Sequence, residues 1–158
     1  MRLALRIIVS TALGLVVANF AAAQSFHANL TGSQEVPPNA SAATGSASFT
    51  YDSGTQMLAY TLVFAGLSGP QTGAHIHGPA SPGFNAGVIF PLSAGSPATG
   101  SVGPLTAQQL LDLNSELLYV NVHSTVFTGG ETRGQILKGP LAVHPSTWGA
   151  IKELYRGT

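Results

Sequence analysis

The sequence predicts an all-β fold, either an antiparallel sandwich of two sheets or a flattened barrel. Short stretches in which apolar and polar residues alternate recur along the chain, which is the pattern of strands that bury one face. Glycine and proline, 19 and 10 of the 158 residues, are spread between these stretches, where they favour turns. Because the chain has no cysteine, its stability must come from a hydrophobic core and not from disulfides.

The alternation predicts about seven strands in one domain that covers residues 24–140. The segment around His75 is one strand, and Asp52, Ser53 and Gly54 predict a hairpin turn between two others. The remaining predicted strands cover residues 26–30, 47–51, 57–64, 87–92, 117–124 and 133–138.

Two helices are predicted. Thr106 and Gln109 form a capping box, which predicts a helix over 106–113 that covers an open end of the sandwich. In the segment 141–158 a linker precedes a short amphipathic helix capped by Ser146. This tail helix either docks on its own domain or binds a partner, and the sequence leaves both open. Its apolar stripe consists of Trp148, Ile151, Leu154 and Tyr155.

Residues 1–23 have the three parts of a signal peptide. Arg2 and Arg6 precede an apolar run over 7–20, and three alanines at 21–23 supply a small-residue cleavage site. The apolar run is short for a membrane span, so we expect cleavage after Ala23 and no membrane span in the mature chain. The alternative is a retained membrane anchor or a buried helix. The sequence therefore predicts a secreted or periplasmic protein.

Composition excludes several partners and reactions. Only 8% of the residues are charged and the formal net charge is zero, so the chain lacks the positive surface that nucleic acids require. It has no glycine-rich phosphate loop, no nucleophile-elbow serine and no evident pair of catalytic carboxylates, which disfavours hydrolases. Without cysteine, a metal ion would be held by histidine, carboxylate or backbone groups.

Three histidines are the candidate metal ligands. His75 and His77 are two residues apart on a predicted strand, so both side chains point to the same face. In the strand over 117–124, alternation assigns Leu118, Val120 and Val122 to the core, with Tyr119, Asn121 and His123 opposite. If the two strands are neighbours, His123 supplies a third nitrogen for copper or zinc. The alternative is a polar strand face that binds no metal.

Glu131 and Arg133 lie in a glycine-rich turn after His123 and admit two interpretations. In the structural one, the two side chains form an ion pair that holds the turn. In the functional one, Glu131 accepts a hydrogen bond from a ligand histidine or Arg133 guides anions to the metal. Glu35 is likewise a partner of Arg133 or a ligand, and we favour the partner role.

Four motifs in the same order closely resemble the CHRD domain family, named from chordin, over about residues 26–137. The motifs are LTGSQEVPP at 30–38, AHIHGPA at 74–80, LYVNVHS at 118–124 and GETRGQI at 130–136. This resemblance implies an extracellular β-sandwich of immunoglobulin-like outline. It does not by itself define a molecular activity.

A more limited likeness is to copper–zinc superoxide dismutase, another β-sandwich with an HxH pair, a later strand histidine and a nearby arginine. It implies copper ligation by His75, His77 and His123, with Arg133 as the anion guide. The bridging histidine, the zinc loop and the disulfide of that family have no counterpart here.

Three functions follow from the sequence. The leading one is an exported CHRD-type binding module with a mononuclear copper or zinc site at the three histidines, and it is not an enzyme. The second is a copper-dependent redox enzyme that acts on superoxide or peroxide. The third is a structural or adhesive domain that binds an extracellular protein and no metal.

Overall fold

The computed structural model describes residues 23–139, and the predicted leader and tail helix lie outside this range. Within it the chain forms one α-helix and nine strands. The strands are β1 (Gln24–Thr31), β2 (Thr44–Asp52), β3 (Met57–Ala65), β4 (Gln71–His77), β5 (Val88–Pro91), β6 (Ala98–Val102), β7 (Tyr119–Ser124), β8 (Thr132–Gln135) and β9 (Leu137–Lys138), and the helix is α1 (Ala107–Asn114).

The strands form one antiparallel sheet in the order β5-β4-β7-β8-β1-β2-β3-β6, with β9 also paired to β1. The chain passes from β5 at one end of this order directly to β6 at the other. Side-chain bonds hold that connection against β3: Ser93 binds Tyr60 and the Ser96 hydroxyl donates to the Phe64 carbonyl. The two ends of the sheet are thereby drawn together, which gives a nearly closed, flattened barrel. The predicted all-β class is confirmed.

The core fills the inside of this barrel with residues that alternate along the strands. In β1 the buried residues are Phe26, Ala28 and Leu30, while helix α1 contributes Leu113. In β4 and β7, and at Leu118 directly before β7, the same face carries buried residues: Ala74, Ile76, Leu118, Val120 and Val122. This confirms the predicted core face of the strand over 117–124.

Local turn and capping predictions are also confirmed. The Thr106 hydroxyl accepts from Gln109 N at 3.2 Å, and the Gln109 side chain accepts in return from Thr106 N at 2.9 Å. Asp52 Oδ1 accepts from the amide of Gly54 at 2.7 Å in the turn between β2 and β3. Short-range hydrogen bonds of this kind depend only on neighbouring residues, which is why the sequence predicts them.

Two strand predictions need correction. Strand β6 was not predicted, because only its terminal residues Ala98 and Val102 are buried and its centre is polar. The single strand predicted over 133–138 is two strands, β8 and β9, separated by Ile136, which is fully buried. All four residues of β8 are buried, so this segment lacks the alternation that marks a strand.

In the described part of the chain, no helix is both long and apolar enough to cross a membrane.

Candidate metal centre

The three predicted ligand histidines lie together because β4 and β7 are adjacent strands. The cross-strand partners are Gly73 and His123, His75 and Asn121, and His77 and Tyr119. Gly73 was not singled out from the sequence, yet it makes room for the site. A Cβ atom at this position would lie 3.0 Å from Cε1 of His75. The strand ends at His77, as the following Gly78 and Pro79 suggest.

The imidazole rings form a compact cluster. The ring centroid of His75 lies 5.0 Å from that of His123 and 5.7 Å from that of His77, and the third pair is 6.1 Å apart. One ring nitrogen of each residue can be chosen so that all three lie within 4.8 Å of one another. Among the described residues, no Glu or Asp joins this cluster, so neither Glu35 nor Glu131 belongs to the ligand set.

Backbone carbonyls orient two of the rings. Nδ1 of His77 lies 3.0 Å from the Ala86 carbonyl, and Nδ1 of His123 lies 3.0 Å from the Thr128 carbonyl. A carbonyl oxygen can only accept, so each Nδ1 carries the hydrogen and each Nε2 keeps a free lone pair. Those two Nε2 atoms and Nδ1 of His75 are buried and have no hydrogen-bond partner. Carbonyl-bound imidazoles of this kind are typical of metal ligands.

The surroundings of His75 and His77 disfavour protonation of these two rings. Burial lowers the pKa of His77, opposed by its bond to Ala86, and the neighbouring His75, His123 and Arg133 lower it further. Burial and the nearby His123 also lower the pKa of His75. Because a metal ion competes with protons for imidazole nitrogen, lowered pKa values favour metal binding at neutral pH.

Tyr119 connects the cluster to Arg133. Its ring stacks on His77, and the guanidinium carbon of Arg133 lies 3.5 Å from its centroid. Arg133 also donates to the Phe84 carbonyl at 2.8 Å and to Asn85 Oδ1 at 3.2 Å. Only 1% of Arg133 is exposed. The guanidinium therefore holds the loop over this face of the sheet and is not presented to solvent as an anion guide would be.

The loop over 78–87 covers the face of β4 and β7 opposite the core, so this face is not open to solvent. The Tyr119 hydroxyl accepts from Ala86 N at 3.1 Å and donates to the Ala86 carbonyl at 3.2 Å. Asn85 donates to the Val36 carbonyl at 2.8 Å, which ties the loop to the segment that bears Glu35. As a result, Tyr119 and Asn121 are buried although they alternate with core residues.

Glu131 has partners other than the predicted one. Its Oε1 accepts from the hydroxyls of Ser41 and Ser68 and from Ser68 N, each at 2.7 Å. Burial opposes its ionisation, but hydrogen bonds from Ser124, Ser41 and Ser68 outweigh burial and hold the pKa of Glu131 below its usual value. No ion pair between Glu131 and Arg133 is formed in the part of the chain that the structure covers. Glu131 instead joins three segments of the fold.

Glu35 lies beside Arg133 and contacts Asn121. Asn121 Nδ2 donates to Glu35 Oε2 at 3.2 Å, and both residues are buried. Burial raises the pKa of Glu35 to about 7, although Arg133 and the bond from Asn121 lower it. Glu35 and Arg133 also line a cavity of about 330 Å³ whose walls include Val36, Pro38 and Pro82. Arg133 thus acts on Glu35 through its charge, whereas the residue that donates a hydrogen bond to Glu35 is Asn121.

Comparison with known proteins gave one match. A family model described as the CHRD domain matches residues 26–136, which span β1 to the end of β8 and include the three histidines. Comparisons with curated proteins and with solved structures gave no match.

Proposed function

Since the chain belongs to the CHRD domain family, we propose that it is an exported binding module that holds one copper or zinc ion at His75, His77 and His123. Family membership supports a binding module, and domains of this family are typically extracellular. The leader that the sequence predicts over residues 1–23 supports the same location.

The observation that carries the metal proposal is the set of three unpartnered imidazole nitrogens. Burying a polar atom without a hydrogen bond costs about 1–3 kcal/mol, and the three residues that bear these atoms can each bring a ring nitrogen within 4.8 Å of the others. A single cation accepts all three lone pairs at once. The ligand distances would be about 2.0–2.1 Å, which small tilts of the rings can reach.

The donor set favours copper and zinc over magnesium or calcium. Imidazole nitrogen is a borderline ligand that suits copper and zinc, whereas the hard cations require several oxygen ligands. Neither Glu35 nor Glu131 lies among the ligand atoms, and both carboxylates already accept hydrogen bonds. Three neutral imidazoles leave the full charge of a divalent ion at the site.

Burial favours metal binding over redox catalysis. The three unpartnered nitrogen atoms are buried, although His75 and His123 as whole residues are only half-buried, and Arg133 is directed to the loop carbonyl of Phe84. A redox enzyme needs a path by which superoxide or peroxide reaches the ion. We therefore propose storage, sequestration or structural binding of the ion as the role of the site. Binding of an extracellular protein is an additional role that this site does not require.

Calorimetric titration of the metal-free chain with Zn(II) and Cu(II) tests the proposal. We expect one ion per chain, and for Cu(II) nitrogen hyperfine structure in electron paramagnetic resonance. Each of His75→Ala, His77→Ala and His123→Ala should weaken binding more than about 10-fold. His27→Ala is the matched control, since His27 lies on β1 and binds the Gly139 carbonyl.

Unchanged affinity in one cluster variant would remove that residue from the site. The absence of one-to-one binding in the unmodified chain would overturn the proposal. Export is tested separately, by the N-terminal residue of protein recovered outside the cytoplasm, which we expect to be Gln24.

A further inference from the structure

The buried pair of Glu35 and Asn121 contains two polar atoms with no partner. Asn121 Nδ2 donates to Glu35 Oε2, while Glu35 Oε1 and Asn121 Oδ1 are both buried and unpartnered. Both are acceptors when Glu35 is ionised, so they cannot bind each other. One proton on Oε1 converts it to a donor.

The absence of a side chain at Gly130 leaves room for the two side chains. A Cβ atom at Gly130 would lie 2.5 Å from Asn121 Nδ2, 2.7 Å from Asn121 Oδ1 and 2.7 Å from Glu35 Oε2. The glycine therefore leaves a space that the amide and the carboxyl group fill side by side. Carboxylic acids and primary amides form cyclic pairs with two hydrogen bonds when they are packed in this way.

The pair adjoins the histidine cluster. Asn121 is the cross-strand partner of His75 on one side and of Arg133 on the other, and it precedes His123 by two residues on the same face. Asn121 thus connects Glu35, to which it donates a hydrogen bond, with strand β4 that bears His75. Arg133 from β8 is the charged group that acts on the pKa of Glu35. Glu131 binds the hydroxyls of Ser41 and Ser68 instead.

We propose that Glu35 and Asn121 form a carboxylic acid–amide pair that holds one proton, and that a divalent cation in the histidine cluster expels this proton. This inference rests on the proposed metal site. The O–H bond at Glu35 Oε1 breaks, the proton passes to solvent, and the carboxylate that remains offsets one charge of the ion. The bond from Asn121 Nδ2 is kept. The cavity that Glu35 lines is the route by which the proton leaves.

The ion would act on Glu35 through the positive charge that it adds to the histidine cluster. Without the ion, burial disfavours the carboxylate, and the pKa of Glu35 is raised to about 7. A divalent ion nearby reverses this balance, because a bound cation is the largest local charge and stabilises an anion. Glu35 is therefore a positioning and charge-compensating residue and not a ligand.

Proton release during Zn(II) binding tests this inference. Titration calorimetry in three buffers of different ionisation enthalpy gives the number of protons released. At pH 7 the unmodified chain should release about half a proton more than Glu35→Gln, since a group with a pKa near the pH is half protonated. The excess should approach one proton near pH 6 and vanish near pH 8. Protons from the histidines cancel in the difference.

Glu35→Gln suits this test because its amide imitates the protonated acid. Its Nε2 can donate to Asn121 Oδ1 and its Oε1 can accept from Asn121 Nδ2, so the pair and the fold are kept. Glu116→Gln is the matched control, since the Glu116 carboxylate accepts from Lys138 N outside the pair. This variant should release as many protons as the unmodified chain.

A second measurement separates the two proposals. Carbonyl-carbon NMR of the metal-free chain should show Glu35 titrating near pH 7 and not near 4.5. Titration near 4.5, or equal proton release from the unmodified chain and Glu35→Gln, would overturn the acid–amide pair and leave the metal site standing. Failure to bind Zn(II) or Cu(II) would overturn the expulsion step together with the metal site.

Discussion

The Tyr119 ring lies parallel to the imidazole of His77, with 4.9 Å between the ring centroids and 9° between the planes. The Ala86 carbonyl binds both residues, because it accepts from the Tyr119 hydroxyl and from His77 Nδ1. Two contacts thus orient His77: the stacked ring of Tyr119 and the carbonyl of Ala86. A residue that is not a ligand therefore aligns the nitrogen that we propose binds the ion.

Replacing Tyr119 should separate the contribution of its ring from that of its hydroxyl. Tyr119→Leu removes the stacked ring from a buried position and should lower the free energy of unfolding by about 2–4 kcal/mol. It should also weaken Zn(II) binding, because only the Ala86 carbonyl then orients His77. Tyr119→Phe keeps the ring and should cost only about 1 kcal/mol with nearly unchanged affinity. Urea unfolding and calorimetric titration measure both effects. Equal Zn(II) affinity of the two variants would contradict the aligning role of the ring.

Two adjacent glycines should respond differently to alanine. Gly130 has φ +135° and no room for a Cβ atom beside Asn121 and Glu35, so Gly130→Ala should destabilise the fold by about 1–3 kcal/mol. At Gly129 a Cβ atom would meet nothing within 4 Å, and Gly129→Ala should be nearly neutral. Thermal unfolding of the two variants checks the contrast. Comparable melting temperatures would show that the Glu35–Asn121 packing tolerates displacement.

Glu131 should stabilise the fold most at neutral pH. Its pKa is lowered in the folded state, so its contribution is present above its unfolded pKa near 4.5 and is lost as the pH falls through the folded value. Glu131→Gln weakens the charged hydrogen bonds from Ser41 and Ser68 and should cost about 1.5–3 kcal/mol at pH 7. The difference should shrink towards pH 3. Urea unfolding at several pH values measures it, and a cost that does not depend on pH would contradict the charged state of Glu131.

Glu35 should show the opposite pH dependence in the metal-free chain. Its pKa is raised to about 7 in the folded state, so its contribution is present below its unfolded pKa near 4.5 and is lost as the pH rises through about 7. Relative to the unmodified chain, Glu35→Gln should gain about 2–3 kcal/mol of stability between pH 5 and pH 9. Urea midpoints over this range provide the measurement. A constant difference would indicate that Glu35 has the same pKa in both states.

Much of the site is predictable from short sequence patterns. The period of two places His75 and His77 on the same side of β4, and it places His123 opposite the core residues of β7. The side on which a strand residue lies depends only on the local backbone, so no knowledge of the fold is needed. For the same reason the capping box of α1 was predicted correctly.

The partners of Glu131, Arg133 and Glu35 were not predictable in this way. Glu131 binds Ser41 and Ser68, which are 90 and 63 residues away along the chain. Glu35 and Asn121 are separated by 86 residues. Charge and spacing favoured a Glu131–Arg133 pair, but hydroxyl donors and an aromatic ring satisfy the two groups instead. No local pattern indicates which distant hydroxyl reaches a given carboxylate.

The sequence by itself determined the all-β class, the core face of the two histidine strands and the three histidines as the candidate ligands. Only the tertiary structure decided that β4 lies beside β7, that the loop over 78–87 covers their outer face, and that Glu35 reaches Asn121. The physical reason is how far apart in the chain the interacting residues lie. Alternation and capping follow from bonds between near neighbours, whereas strand order and loop packing follow from burial of surfaces that are distant in the chain.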